Sequence, residues 1–406
     1  MFAMSNFSIM IWIICSILTG LTVAWLALAV LYVKERIIVP STKQGNNVVF
    51  SRVADQPPYL VSVIVPARNE EAYIKRCLLS LLSQRYASFE VIVIDDGSTD
   101  KTAKIVEAIR DKRLRLIQLK KTPDGWRGKS WASHVGYLAS NGQTLLYTDA
   151  DSFYYNKFAI ARTVFCLQKE RVDVVTGSPL IELRDFYSKL IMPLFNLFSV
   201  FRASTSVSGR DKTKSRFLIG GFFMIRKNVL HEIGGFNTVS TSLQEDTDLG
   251  KQIKSAGYSI GLVKVNSLVS ATWSRSRKTL LEGFRRIVSY NLTTNNKINV
   301  VVDISTILCM VIAPFFILPF SLQLNEDSYD NRFLTLIILS WNLALCLSPI
   351  LGATLKGLTK YRLNPVYSIL ILFSAGFLLT VYLVSLVHLS MSFSARTTRW
   401  KGRRYT

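Results

Sequence analysis

The chain has 406 residues, 49% of them hydrophobic, and 49 Lys and Arg against 27 Asp and Glu give a net charge of +22. The near-globular average conceals apolar residues gathered toward the two ends around an ordinary soluble middle, so a purely soluble protein is excluded as the reading. The charge suits nucleic acid, an anionic membrane or an anionic substrate; with no zinc-finger spacing and no RNP-like aromatic motif, nucleic acid is set aside as a partner.

From the first residues onward, Ile9 to Val33 is uncharged and long enough to cross a bilayer as a helix. It lacks a basic start and a small-residue cleavage site, which argues against a signal peptide. Lys34 and Arg36 follow at once, and by the positive-inside bias they place the next domain in the cytoplasm. Cys15, Cys77, Cys166, Cys309 and Cys346 form no CxxC pair and no disulfide framework. They read as small buried hydrophobes on a reducing side.

After a linker over 34–60, the soluble middle alternates strand and helix. Val61–Val65 is a short apolar run that stops at Pro66, as a buried parallel strand would. Glu71–Leu82 has helical spacing, Phe89–Ile94 is a second strand, and Ser98-Thr99-Asp100 resembles a cap for a helix over Lys101–Ile109. A strand over Leu114–Leu119, a helix over Lys129–Ala139 and a strand over Leu145–Thr148 follow. Such alternation predicts an α/β fold with a mostly parallel sheet, whose ligands bind beyond the carboxyl ends of the strands.

The acidic residues fall at those ends. Asp95-Asp96-Gly97-Ser98 closes the second strand and Asp149-Ala150-Asp151 the fourth. Carboxylates so placed can hold a base, a ribose or a divalent cation. Asp149 and Asp151, as alternate residues, can bring two hard oxygen donors to one Mg²⁺ or Mn²⁺. Glu245-Asp246 precedes a helical stretch over Thr247–Ala256, where acids also serve as plain caps. Lys129, after Gly128, is placed to meet a phosphate or a base edge, or to stand in solvent. Trp126 and Trp131 line a sugar or acceptor site, or pack in the core. His134, His231 and His388 are scattered and read as structural.

Trp273-Ser274-Arg275-Ser276-Arg277-Lys278, then Arg285-Arg286 interleaved with Leu280, Leu281, Phe284 and Ile287, reads as a basic amphipathic helix on a membrane surface. Phe186–Phe201 is either a second interfacial helix or a core helix. Two further spans read clearly, Ile304–Leu324 and Phe333–Leu355, with an outward loop at 325–330. Val366–Phe393 is long for one span and carries Gly376; a hairpin or re-entrant pair would return the basic tail to the cytoplasm. The resulting boundaries are 1–33 for the first span, 61–270 for the α/β domain, 271–300 for the interfacial segment, 301–393 for the C-terminal membrane region and 394–406 for the basic tail.

Residues 61 to about 257 resemble a family 2 glycosyltransferase of the GT-A fold. The resemblance rests on Val-Ile-Val-Pro-Ala-Arg-Asn-Glu-Glu (63–71), Val-Ile-Asp-Asp-Gly-Ser-Thr-Asp (93–100), Asp-Ala-Asp (149–151), Gly220-Gly221-Phe222-Phe223-Met224-Ile225-Arg226, Gly234-Gly235-Phe236 and Glu245-Asp246. Gly125-Trp126-Arg127-Gly128-Lys129-Ser130-Trp131-Ala132 and the tail Trp400-Lys401-Gly402-Arg403-Arg404-Tyr405 are similar to a membrane-bound branch that includes carotenoid- and hopanoid-associated enzymes.

The resemblance implies a Rossmann-like catalytic domain with transmembrane helices on both sides, in a multi-pass protein of the cell membrane. It implies a UDP- or GDP-type nucleotide-diphosphate sugar as donor and a membrane lipid as acceptor. Pro66, Ala67, Arg68, Glu70, Asp95, Asp96, Lys129, Asp149 and Ala150 would hold the nucleotide, and Asp149 with Asp151 a divalent cation, Mn or Mg. Asp246 would be the base that deprotonates the acceptor, with Glu245 beside it, in one inverting displacement. Trp273, Arg275, Arg277, Gly220 and Gly221 would meet diphosphate or acceptor. The Gln-x-x-Arg-Trp pattern of processive polysaccharide synthases is absent, which argues for single transfer. A polyprenyl-phosphate sugar transferase and a non-catalytic scaffold with the same fold are the alternatives.

Overall fold

In a computed structural model, the structure describes residues 13–14, 16–21, 23, 55, 59–195, 218–272, 274, 276–293, 297–323, 332–356, 358, 361, 363–391, 398–400 and 403–405. Two compact units emerge. One joins 36–182, 206–273 and 397–406; the other joins 1–35, 183–205 and 274–396.

The α/β unit is built on β1 (Val61–Ala67), β2 (Phe89–Asp95), β3 (Leu114–Gln118), β4 (Thr144–Thr148), β6 (Val174–Thr176), β8 (Phe222–Arg226) and β9 (Ile260–Leu262), with β5 (Ser152–Tyr154), β7 (Leu180–Glu182) and β10 (Val269–Thr272) in a smaller sheet. The large sheet runs β3-β2-β1-β4-β8-β6-β9 and the small one β5-β10-β7. The large sheet is parallel except at β8, which is antiparallel to both β4 and β6.

Period-2 alternation explains why both sheet faces are buried. Val61, Val63, Val65, Val91, Val93, Leu146 and Met224 enter one core; Ile64, Ile92, Ile94, Leu145, Tyr147, Phe223 and Ile225 enter the other. Helices α1 (Ile74–Leu82), α2 (Thr102–Glu107) and α4 (Ala159–Lys169) supply residues to the first core. The second is closed by α3 (Gly128–Ala139), α5 (Lys227–Glu232) and α6 (Glu245–Ser255). Each fully buried Ile, Leu or Phe contributes about 1.5–3 kcal/mol, so this three-layer arrangement fixes the strand ends firmly.

Two sequence boundaries shift. Strand β1 does not stop at Pro66 but runs on to Ala67. Its ladder to β4 ends at Ile64, while pairing to β2 continues to Ala67, so proline's missing N–H falls where one neighbour is already gone. The apolar helix Phe186–Phe195, inside the 61–270 boundary, groups with the helical unit, where Phe186 meets Tyr367 and Phe195 meets Phe284.

The helical unit contains α7 (Arg277–Thr293), α8 (Lys297–Thr306), a π turn over Ile307–Ile312, α9 (Ala313–Gln323), α10 (Arg332–Lys356), α11 (Val366–Ile369) and α12 (Ile371–Met391). Helix α7 is amphipathic as expected: Leu280, Phe284 and Val288 are buried at four-residue spacing, and Arg277, Lys278 and Arg285 are exposed. The expected hairpin near Gly376 does not form. Residues 371–391 are one helix, in which Thr380 Oγ1 donates to the Gly376 carbonyl at 2.8 Å, so the glycine is absorbed as an ordinary helical residue. Among the described residues, Leu336–Leu355 is long and apolar enough to cross a membrane, and Ile371–Val387 is a shorter apolar helix. Most of the first expected span, 9–33, lies outside the described residues, as does the loop at 325–330. In the basic tail, Thr398–Trp400 and Arg403–Tyr405 pair as an antiparallel hairpin.

Candidate active site

In the large sheet, strand order reverses between β1 and β4: β2 and β3 follow β1 on one side, and β4 opens the other. An open α/β sheet has its binding crevice beyond the carboxyl ends at such a point. A pocket here is lined by Pro66, Thr148, Asp149, Gly220, Glu245 and Asp246, together with Lys129.

Lys129 stands in the first turn of α3 and joins two of the acids. Its Nζ lies 2.9 Å from Asp149 Oδ1 and 3.2 Å from Glu245 Oε1. Burial pushes the ammonium toward neutrality, but Asp149, Glu245 and Asp246 more than offset it and hold Lys129 charged above the usual lysine range. The solvated-lysine alternative is therefore not what forms.

Antiparallel β8 explains the glycine pair. Thr148 pairs with Phe222, which brings Gly221 opposite Asp149 at the strand end. A Cβ on Gly221 would stand 3.3 Å from Asp149 Oδ2. Gly220 donates its N–H to Asp246 Oδ2 at 2.8 Å. Asp246 Oδ1 accepts the Thr247 N–H at 2.8 Å, and Glu245 and Asp246 lie in the first turn of α6. The capping role and the site placement thus coexist in one residue, and the helix dipole favours both acids there.

The loops after β1 and β2 are laced together. Asn69, at φ 52, accepts the Thr99 N–H at 2.8 Å, and the Glu70 N–H donates to Thr102 Oγ1 at 2.8 Å. Asp95 Oδ1 is occupied by the backbone N–H of Ser98 at 3.0 Å and by the Ser98 hydroxyl. Asp96 accepts from Thr122 Oγ1 at 3.1 Å and lies 3.9 Å from Arg68 Nη1. Arg68 also donates to the carbonyls of Asp96 and Gly97, so it braces this loop. Both aspartates and Glu70 are buried.

Ala67 and Ala150 are buried at the ends of β1 and β4, and Asp151 is half-buried. Arg277 lies in the helical unit, 5.5 Å from the Tyr187 ring centroid. Trp273 and Arg275 lie outside the described residues. Trp126 and Trp131 pack edge-on at 5.1 Å and adjoin His134 at 4.9 and 5.8 Å, with Trp126 against the second core.

Sequence reasoning missed Arg127 and Thr122. Arg127 takes the Ser240 carbonyl with its N–H at 2.8 Å and the Thr241 carbonyl with Nε at 2.6 Å. It ties the segment bearing Lys129 to the one leading into Glu245-Asp246. A loop arginine between two glycines carries no periodic signal that could have marked it. Tyr147 and Phe223, stacked at 4.7 Å beneath the pocket, were visible only as strand residues.

Among the described residues, no cluster of three or more His, Cys, Asp or Glu is arranged to hold a metal. Two carboxylates, Asp149 and Asp151, are the donors at the strand end. That set fits a hard cation that arrives with phosphate oxygens, since Mg²⁺-type sites use one or two carboxylates plus substrate phosphates.

Residues 62–234 match the family model described as Glycosyl transferase family 2. The chain is 28% identical over 225 residues to the probable glycosyltransferase YdaM of Bacillus subtilis (strain 168), covering 54% of this chain and 51% of that one. It is 27% identical over 229 residues to a 4,4'-diaponeurosporenoate glycosyltransferase of Staphylococcus haemolyticus (strain JCSC1435), covering 56% and 60%. The matches thus span about half the length of these relatives. Among solved structures, the mannosyltransferase PcManGT from Pyrobaculum calidifontis, solved with GDP-Man and Mn²⁺, aligns over 92% of this chain and 99% of its own at 17% identity. Its TM-score is 0.49, a likeness that carries no argument. Through the domain at residues 62–234, the chain belongs to glycosyltransferase family 2.

Proposed function

We propose that the protein is an inverting, non-processive glycosyltransferase that moves one sugar from a UDP- or GDP-type nucleotide-diphosphate sugar to a membrane lipid acceptor. One observation carries the reading: Lys129, Asp149, Glu245 and Asp246 converge beside the Gly220-Gly221 pair at the switch point of the sheet. A scaffold has no need of three carboxylates and an ammonium gathered there.

The roles follow from position. Asp96, beside Thr122 and Arg68, is the better placed of the two aspartates to accept from a base N–H, because Asp95 serves its own turn. Pro66, Ala67 and Ala150 form close-fitting walls, while Arg68 and Glu70 shape the loop. Asp149 and Asp151 would hold a divalent cation, Mn or Mg, which on binding neutralises charge on the diphosphate as it leaves. Lys129 stands ready to add positive charge toward the same oxygens. Asp246, held by the Gly220 N–H, takes the proton from the acceptor hydroxyl as that oxygen attacks the anomeric carbon. Glu245 keeps Lys129 oriented.

The apolar helices Leu336–Leu355 and Ile371–Val387 and the basic face of α7 support a multi-pass protein of the cell membrane with the α/β domain on the cytoplasmic side. The relatives named for 4,4'-diaponeurosporenoate favour an apolar acceptor.

The test uses membranes containing the full chain, a panel of labelled nucleotide sugars, and Mn²⁺ or Mg²⁺. Label should enter the organic phase and vanish with Asp151→Ala. Retained label in Asp246→Asn would point to a phosphate acceptor, as in polyprenyl-phosphate transferases. Absence of both transfer and nucleotide binding with every donor would leave the scaffold.

A further inference from the structure

A second concave surface lies on the α/β unit, outside the crevice. It is an open groove between α1 and the chain following the Asp149-Ala150-Asp151 turn, lined by Lys75, Leu79, Ser83, Phe153, Tyr155 and Lys157. Lys75, Leu79 and Ser83 stand at four-residue spacing, so they form one stripe along the outer face of α1. Leu79 is 50% exposed and Tyr155 42%, and both lysines are exposed. Arg76 is already committed: it pairs with both carboxylate oxygens of Glu182, at 3.0 and 3.2 Å, and its guanidinium lies 4.0 Å from the Phe153 ring centroid. Glu71, at the helix start, accepts the Lys101 N–H at 3.0 Å.

Chain connectivity gives a second, independent observation. The groove wall is β5, an edge of the small sheet β5-β10-β7. The chain departs for the apolar helical unit from that same sheet twice, after Glu182 of β7 and just after Thr272 of β10. Arg76 fastens α1 to the first of these exits. Under the membrane reading, this edge is tethered within a few residues of the bilayer at two points.

We propose that the α1–β5 groove is a docking surface for the headgroup layer of an anionic bilayer. Lys75 and Lys157 would meet anionic headgroups, and Leu79 and Tyr155 would enter the headgroup boundary, where a leucine and an amphipathic aromatic ring both gain. The inference rests on the membrane reading and adds which face of the catalytic domain meets the lipid.

The test places a probe in the groove without touching its anchors. The full chain with Ser83→Cys is labelled with an environment-sensitive fluorophore and set in nanodiscs of phosphatidylglycerol with phosphatidylcholine, or of phosphatidylcholine alone. The unsubstituted chain gives the labelling background. Emission should shift to the blue with the anionic lipid and fall when the acyl chains are brominated, and Lys75→Glu with Lys157→Glu should abolish both effects. Identical emission in the two discs, or quenching that survives the double charge reversal, overturns the docking surface. Extraction of the chain from membranes by alkaline carbonate overturns the membrane reading itself; a retained chain with a silent probe overturns the docking surface alone.

Discussion

Gly220 and Asp246 are in direct backbone-to-carboxylate contact, and the same Oδ2 that accepts the glycine N–H lies 2.5 Å from where a Cβ on Gly220 would stand. No side chain fits there without moving the carboxylate. Gly220→Ala should therefore displace Asp246 while leaving the sheet intact. A misplacement on the order of 1 Å can cost about 10²-fold in rate. The expected result is a kcat lower by that order, with nucleotide affinity and the thermal midpoint near those of the parent. An unchanged kcat would show that Asp246 is not the base.

Lys129 is the counter-ion that lets Asp149 and Glu245 share one crevice. Lys129→Met should lower activity by about 10²-fold, the scale of losing one aimed positive group at a developing charge. It should also lower stability. Because the pKa of Lys129 is raised on folding, its contribution is whole below the unfolded value of about 10.4 and is lost only as pH rises through the still higher folded value. The difference in thermal midpoint between parent and variant should then stay constant between about pH 6 and 9. A difference that shrinks over that window would show the ammonium losing its proton far earlier than this geometry allows.

In the helical unit, Tyr382 donates its hydroxyl to Asp303 Oδ2, and both residues are buried. Tyr382→Phe withdraws one partner from a buried carboxylate, a change that costs about 1–3 kcal/mol. The thermal midpoint in detergent should fall. Adding Asp303→Leu should recover part of the loss, since removing both polar partners leaves nothing unsatisfied. A second drop instead would assign Asp303 a contact more important than Tyr382.

The legible parts of this protein are those set by local pattern. The runs at 61–65, 89–94, 114–119 and 145–148 all became strands, because four or more buried apolar residues between turn residues leave few alternatives. Asp95, Asp96, Asp149 and Asp151 came to strand ends for the same reason. What depends on register was not legible. Gly221 lies opposite Asp149 only because β8 returns antiparallel beside β4, and the intervening chain gives no sign of that direction. Strands β5, β6, β7 and β9, at three residues each, are too short to show alternation. Arg68 was expected at the nucleotide and instead grips the carbonyls of its neighbouring loop, a contact 28 residues away in sequence. The helix at Phe186–Phe195 was correctly seen as apolar, but its grouping with helices near 284 and 367 is again a long-range choice.

His134 offers a pH-dependent test of the packing behind the site. It sits among Trp126, Trp131 and Tyr137, and its Nδ1 has no hydrogen-bond partner among the described residues. The nearest other titratable ring, His231, is engaged by the Tyr137 hydroxyl at 3.0 Å. Burial pushes the His134 pKa down, because the charged ring would stand among aromatic faces with a donor left unmet. The folded protein thus binds fewer protons than the unfolded chain near the histidine value of about 6.5. Its stabilising contribution is whole above that value and is lost as pH falls through it toward the lower folded value. His134→Phe keeps a flat ring in the cluster and removes the titration. Between about pH 7 and 5, the thermal midpoint of the parent should fall more steeply than that of the variant. Parallel curves would mean that the ring accepts its proton as readily in the fold as outside it, and that the aromatic cluster opens to water.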